Sequence, residues 1–410
     1  MNLHSRVSLA LFLIALPFFA FSQTCSNPYP QHSVYSAGTI IPNHLPQRLL
    51  DDSVLSFYTQ WRKRYVKRSL CDSSYYIWGE NTGKGHECVS EGQGYGMMIT
   101  VLMARKGSDE QEIFNGLFRY YKDHPSKRSP YLMSWMQGGA CDVKQRTSAS
   151  DGDIDIAYSL LLASKQWGNE GKINYLAEAQ KIIQAMREQE VNKNSYSILL
   201  SNGVEHDSPD YYDMRSSDFI PSAFKAFSKV DSFTFWNKVV DKNYKLLTGL
   251  QREYSPDAGL IPDFITGINH HPKPVKPHYL ESKYDGSFSY NACRVPWRIA
   301  LDGILYGDKR SKTFLNPLNK WIRETTSNNP DNISAGYTLA GDDIKGRNFE
   351  ALSFICSFAA SAMVDAKNQP WLNSLWDYII HFKLGAFDYY DNSLKMLNLI
   401  LLSGNYWSTQ

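Results

Sequence analysis

The sequence predicts an all-α protein built of helical hairpins packed as a ring or a bundle, and three observations carry that prediction. Apolar residues recur at helical spacing in roughly a dozen stretches. Gly, Pro and Asn/Asp/Ser clusters punctuate those stretches where helices should end, and strand-like alternation is scarce. No heptad seam, short repeat or composition break divides the chain, so its 410 residues read as one domain with a large core.

Taken in order, the chain opens with Arg6 and an apolar run from Val7 to Phe21, followed by Ala20-Phe21-Ser22 at the positions a signal peptidase reads. Residues 1–22 are therefore expected to be a secretory signal peptide cut near Ser22–Gln23, and the mature protein to be secreted or periplasmic. An uncleaved anchor is disfavoured because about 15 apolar residues are short for a span, and no membrane contact is expected after cleavage. Residues 23–45, rich in Pro and Ser, read as an extended lead-in on the surface, and 46–410 as the catalytic domain. Export permits disulfides among Cys25, Cys71, Cys88, Cys141, Cys293 and Cys356, but six cysteines allow 15 pairings and spacing does not choose.

Residues 47–67 carry Leu49, Leu50, Val54, Leu55, Tyr58 and Trp61 on one helical face. Similar stretches follow at 95–105, 109–122, 153–167, 172–189, 217–229, 233–250, 296–306, 311–324, 347–365 and 370–381. The longest irregular stretch, 255–291, contains Pro262, Pro272, Pro274 and Pro277; a loop of that length in a compact domain is usually functional or disordered. With 43 basic and 41 acidic residues the charges nearly cancel, which gives no reason to expect nucleic acid. The aromatic content of 14% suits sugar faces and cores equally.

Three motifs carry chemistry. In SEGQGYGM, residues 90–97, glycines let a backbone or ligand approach closely and hold Glu91 at the mouth of a helix; a first-turn acid favoured by the helix dipole is the plainer reading. In ASDGDIDIAYSLLLASKQW, residues 149–167, Asp151, Asp153 and Asp155 alternate at a helix start. They can cap the helix, or cluster to raise a neighbour's pKa; the spacing of a calcium loop is missing. In SYNACRVPWR, residues 289–298, Pro296 suits a first helical turn, and Arg294 and Arg298 are spaced to orient carboxylates. No CxxC pair, phosphate loop, HExxH or GxSxG elbow is present, and His270-His271 lacks matched partners. No cofactor or metal is expected.

Together, EGQGYGMM, ASDGDIDIAYSLLLASKQW and NACRVPWRIALD resemble the acid motif, the A-S/T-D-G-D-x-D-I-A signature and the A-C-R-x-P-W-R segment of glycoside hydrolase family 8, in that order. The resemblance implies an (α/α)6 toroid and inverting cleavage of β-1,4-linked polysaccharides. It implies Glu91 as general acid and Asp151 as the carboxylate against the sugar at the cleavage point. Many members carry their base, an Asp, at the position of Asn291, and an amide cannot take that proton. A chitosanase- and lichenase-like subgroup has Asn there and a Glu from the preceding loop, which points to Glu281, with Asp285 as the runner-up. Trp135 is similar in placement to a stacking Trp, with core packing as its alternative. Tyr95, Asp153, Arg215, Asp218, Asn291 and Arg294 are counted as residues of the sugar cleft, with a structural role favoured for Asp153. The expected protein is a monomeric, secreted endo-hydrolase of β-glucan or chitosan. A catalytically inactive polysaccharide-binding relative is the rival, and an endo-xylanase is less favoured because family xylanases generally keep the Asp base.

Overall fold

The computed structural model describes residues 25–80, 87–139 and 141–409, so the expected signal peptide lies outside the described residues. Twelve α-helices run through them: α1 (Gln47–Tyr65), α2 (Ser90–Leu102), α3 (Glu110–Asp123), α4 (Ser150–Trp167), α5 (Tyr175–Gln189), α6 (Pro221–Phe227), α7 (Phe233–Tyr254), α8 (Val295–Tyr306), α9 (Lys309–Thr325), α10 (Leu352–Ala362), α11 (Gln369–His381) and α12 (Tyr389–Leu402). The even-numbered helices pack side by side, α2 on α4 and so on round to α12, which returns to α2. The odd-numbered helices back them, α3 on α2, α5 on α4, α7 on α6, α9 on α8, α11 on α10 and α1 on α12. The result is an (α/α)6 toroid.

Side-chain pattern explains which helix goes where. Helix α9 buries Ser311, Phe314, Leu315, Leu318, Trp321 and Ile322, one stripe at three- and four-residue spacing, and so lies outside with its other face wet. Helix α10, LSFICSFAASA, is apolar or small on every side and is buried at every position. Inner helices approach closely through glycine. A Cβ on Gly94 of α2 would lie 2.8 Å from the Cβ of Asp155 on α4, and one on Gly152 would lie 2.7 Å from the Ser90 backbone.

The inner helices end their C-termini on one face of the ring, where a helix leaves carbonyls without partners. Residues 25–46 run extended across that face. The N–H groups of Ser26, Tyr29, Ser33, Ser36 and Ile40 donate to the carbonyls of Gln166, Ala104, Gly404, Ile304 and Met363, at or just beyond the ends of α4, α2, α12, α8 and α10, at 2.7–3.0 Å. The lead-in is thus a strap across the bottom of the toroid, with Tyr29 buried in the core, rather than a surface tail.

The opposite face carries the N-termini of the inner helices and the long loops. Short antiparallel pairings brace these loops: β1 (Val66–Arg68) with β2 (Tyr75–Ile77), β3 (Cys88–Val89) with β6 (Met136–Gln137), β4 (Pro125–Ser126) with β5 (Ser129–Met133), and a three-stranded sheet of β7 (Met214–Arg215), β8 (Phe264–Thr266) and β9 (Lys273–Pro274). A disulfide joins Cys71 to Cys141, and the other four cysteines are free. Among the described residues no helix is long and apolar enough to cross a membrane.

Two boundaries shift most from the sequence reading, and one helix was missed. Helix α2 starts at Ser90 rather than near 95, because its glycines serve helix contact instead of breaking the helix. Helix α10 is shorter than 347–365, since residues 341–351 form loop. Helix α12 was not foreseen: YYDNSLKMLNLILL has polar residues on the faces that the ring buries, so no amphipathic stripe marks it.

Candidate active site

A groove of about 450 Å³ crosses the N-terminal face, lined by Glu91, Asp151, Trp135, Arg215, Glu281, Asn291 and Arg294, with Tyr290 and residues 388–391 at its rim. A larger cavity, about 560 Å³, lies between α7 and the loops at 194–197 and 268–272. Its lining holds a single carboxylate, Glu253, so it offers no pair of carboxyls.

The groove is organised around Arg294, which sits in a 3-10 turn just ahead of α8 and is buried. Its Nη1 donates to Glu91 Oε2 at 2.6 Å, to Asp151 Oδ2 at 2.8 Å and to the Tyr95 hydroxyl at 3.2 Å. Its Nη2 donates to Asn291 Oδ1 at 2.9 Å. Glu91 lies in the first turn of α2, and Tyr389, at the start of α12, donates to its Oε1 at 3.3 Å. Only 17% of the Glu91 side chain reaches solvent. Burial pushes its carboxyl up to about 7; Arg294 opposes the rise and the charge of Asp151 adds to it. Asp151, in the first turn of α4, is held the other way. Burial acts against its ionisation, but Arg294 and Arg215 outweigh it and keep the carboxyl below the usual range. Two carboxyls on one guanidinium are therefore shifted in opposite directions, Glu91 toward the protonated form and Asp151 toward the ionised form.

Glu281 reaches the groove from the loop after β9, residues 275–287, with 45% of its side chain exposed. Arg215 Nη2 donates to its Oε1 at 3.0 Å and Asn291 Nδ2 donates to its Oε2 at 2.8 Å. Asn291 thus links the two sides of the groove, accepting from Arg294 and donating to Glu281. An aspartate at this position would set two carboxylates against each other. Trp135, 39% exposed, stands on the wall between β5 and β6, where its carbonyl accepts from Ser90 N at 3.0 Å.

Three sequence expectations need correction, those for Tyr95, Asp218 and Asp285, and Asp153 takes the structural place favoured for it. Tyr95 is fully buried behind Arg294 and does not line the groove. Asp153 faces away from it: its Oδ1 accepts from Met133 N at 2.8 Å, and its carboxyl pairs with that of Glu190, both raised chiefly by burial, Glu190 to about 7. Asp218 lies buried 3.5 Å from the Arg215 guanidinium, and burial pushes it up to about 8. Alternation of three aspartates hid this division, because on a helix Asp151, Asp153 and Asp155 point to three different surroundings. Asp155 forms a bidentate pair with Arg298. Asp285, the alternative base, is buried and accepts from the N–H groups of Leu280, Glu281 and Ser282, so it is not offered to a substrate.

The sequence reading missed Asp263. Its Oδ1 accepts from the N–H groups of Ser289, Asn291 and Ala292, fixing the turn that carries Asn291 and Arg294. Burial pushes this carboxyl up to about 7 against those hydrogen bonds. Its position in LIPDFIT, inside an irregular Pro-containing stretch, gave no local signal. The rim residues Tyr389 and Tyr390 were missed with α12.

Residues 12–404 match the family model described as glycosyl hydrolases family 8. The chain belongs to that family. It is a glycoside hydrolase, and its toroid agrees with the fold of solved relatives. A β-glucanase of Niallia circulans is 39% identical over 398 residues, covering 97% of this chain and 95% of that protein. An endoglucanase of Bacillus sp. (strain KSM-330) is 40% identical over 391 residues, covering 93% and 81%. The apo structure of a β-1,3-1,4-glucanase from Paenibacillus sp. X4 superposes with a TM-score of 0.88 at 39% identity, covering 93% of this chain and 99% of that one.

Proposed function

We propose that this family 8 hydrolase is a secreted, inverting endo-β-glucanase of the subgroup with Asn in place of the Asp base, cutting β-1,4 bonds in mixed-linkage β-1,3-1,4-glucan. The observation that carries the reading is Glu281: a carboxylate across the groove from Glu91, held by Arg215 and by the Asn291 amide. The names of the β-glucanase relatives support the substrate class. The Cys71–Cys141 disulfide fits export, where such bonds persist.

Glu91, kept protonated by burial, donates its proton to the departing glycosidic oxygen. Glu281 takes a proton from a water that attacks the anomeric carbon from the opposite face, so the configuration inverts. Ionised Asp151 lies beside Glu91 and favours the positive charge that develops on the sugar ring. Arg294 steadies Glu91 once its proton has left. A carboxyl separation of roughly 6.5–9.5 Å with oligosaccharide bound is expected for this class. Trp135 offers its exposed face to a sugar ring.

Reducing ends released from mixed-linkage glucan, carboxymethylcellulose, chitosan and xylan test the assignment. Mixed-linkage glucan should be cut fastest, and Glu281→Ala and Glu91→Ala should each remove activity with the fold retained. Chitosan is the second reading, favoured by the excess of acids at the groove and its rim, where Asp388 and Asp391 join Asp151 and Glu281. Release from none of the four would leave a polysaccharide-binding protein instead.

A further inference from the structure

Glu281 stands on a loop whose tip is wet: Leu280 is 56% exposed, and Lys283 is exposed as well. A base on such a tip would not hold its position through apolar packing. What fixes it lies beneath. Asp285 is fully buried and turns its carboxylate back on its own loop. Oδ2 accepts from Leu280 N at 2.7 Å and Glu281 N at 3.0 Å, and Oδ1 accepts from Ser282 N at 2.8 Å and Ser282 Oγ at 3.1 Å. Four donors occupy the acceptor sites of the two oxygens.

The anchor of Asp285 is equally specific. Its carbonyl accepts from Phe264 N at 3.0 Å, which ties it to the start of β8. Next to it, a Cβ on Gly286 would come within 2.3 Å of the Val275 carbonyl, so the chain lies flush on the segment that follows β9. In the sheet Phe264 pairs with Arg215 of β7, and the Arg215 guanidinium lies over the Phe264 ring at 5.3 Å. One residue, Phe264, therefore registers both the loop that carries Glu281 and the arginine that holds its carboxylate. Tyr279 adds a second tether, donating to Asp213 Oδ2 at 2.7 Å.

We propose that Asp285 is the positioning residue for the catalytic base: its buried carboxylate holds the backbone of residues 280–282 so that Glu281 meets Arg215, Asn291 and the attacking water. The inference rests on the reading of Glu281 as base. Asp285→Asn is nearly isosteric, but its amide nitrogen faces N–H donors in place of an oxygen, so the loop loses half of its acceptors.

The test compares wild type, Asp285→Asn and Glu281→Ala on mixed-linkage glucan, with and without sodium azide. Asp285→Asn should lower kcat about 100-fold, the scale of an ångström-size misplacement, and leave KM within about threefold. Azide needs no base, so it should restore turnover in both variants and yield a glycosyl azide of inverted configuration. A variant that had merely lost structure would not respond. Full activity of Asp285→Asn, or loss without azide rescue, overturns the proposal. Hydrogen exchange on the wild type gives a measurement independent of variant folding. The amides of Leu280, Glu281 and Ser282 should exchange at least about 100-fold slower than in a free chain; unprotected amides would also overturn it. Retained activity in Glu281→Ala alone would sink the base assignment, and slow exchange at 280–282 would still report the Asp285 contact separately.

Discussion

Neutralising Asp151 should move the pKa of Glu91, and the size of the move follows from the geometry. Glu91 Oε2 and Asp151 Oδ2 both lie within hydrogen-bond distance of Arg294 Nη1, at 2.6 and 2.8 Å. The two oxygens are thus about 5 Å apart or less, where like charges repel by about 3 kcal/mol at an effective dielectric constant near 20. That equals about two pKa units. Water at the exposed edge of Glu91 screens part of it, so a fall of about one to two units is expected in Asp151→Asn. The sign is fixed: the charge of Asp151 disfavours ionised Glu91, so removing it lowers the pKa from about 7. Burial, the larger cause of the rise, remains, and keeps the carboxyl above its ordinary range. Because the acid must be protonated, the alkaline limb of kcat/KM against pH should sit near 7 in the wild type and move about one to two units lower in the variant. An unmoved alkaline limb, with measurable residual activity, would refute Glu91 as the acid or the coupling between these carboxyls.

Three other outcomes follow from particular contacts. Trp135→Ala removes an exposed ring from the groove and should raise KM about fivefold, on the scale of ~1 kcal/mol, with an unchanged urea midpoint. Reducing Cys71–Cys141 opens a covalent loop closed over a separation of 70 residues and should cost about 4 kcal/mol, read as a lower urea midpoint in dithiothreitol. Burial raises Glu190 and Asp263 to about 7 and Asp218 to about 8, so the native state keeps protons that the unfolded chain releases. Stability should therefore fall as pH rises from about 5 to 8, and Glu190→Gln should flatten that slope in urea titrations.

The fold was legible wherever a helix has one wet face. The amphipathic stripes of α1, α3, α5, α7 and α9 mark the outer layer directly. The inner layer was harder to read, because a helix buried on all sides shows no stripe. Helices α2, α4, α6, α8 and α10 were still found from recurring apolar residues, with shifted ends, and α12, whose polar residues interrupt that recurrence, was missed. Within the site the same division holds. Glu91, Asp151 and Arg294 stand in motifs whose spacing puts them at helix starts. Glu281 was singled out because the resemblance to family members with Asn at the position of Asn291 implies a base from the preceding loop. What sequence could not assign was the direction each carboxylate faces. Asp153, Asp218 and Asp285 sit in or near the motifs yet turn into the protein. Asp263, in a stretch without periodicity, holds the turn that carries Asn291 and Arg294 through three backbone N–H groups brought together only by the fold.

Product stereochemistry tests the account most directly, because in the proposed single displacement the water activated by Glu281 attacks opposite the bond that Glu91 protonates. Proton NMR of the first turnovers on mixed-linkage glucan oligosaccharides should show the α-anomer of the new reducing end appearing first, with the β-anomer growing only as mutarotation proceeds. The β-anomer appearing first would mean net retention and would contradict Glu281 as the base of a single displacement.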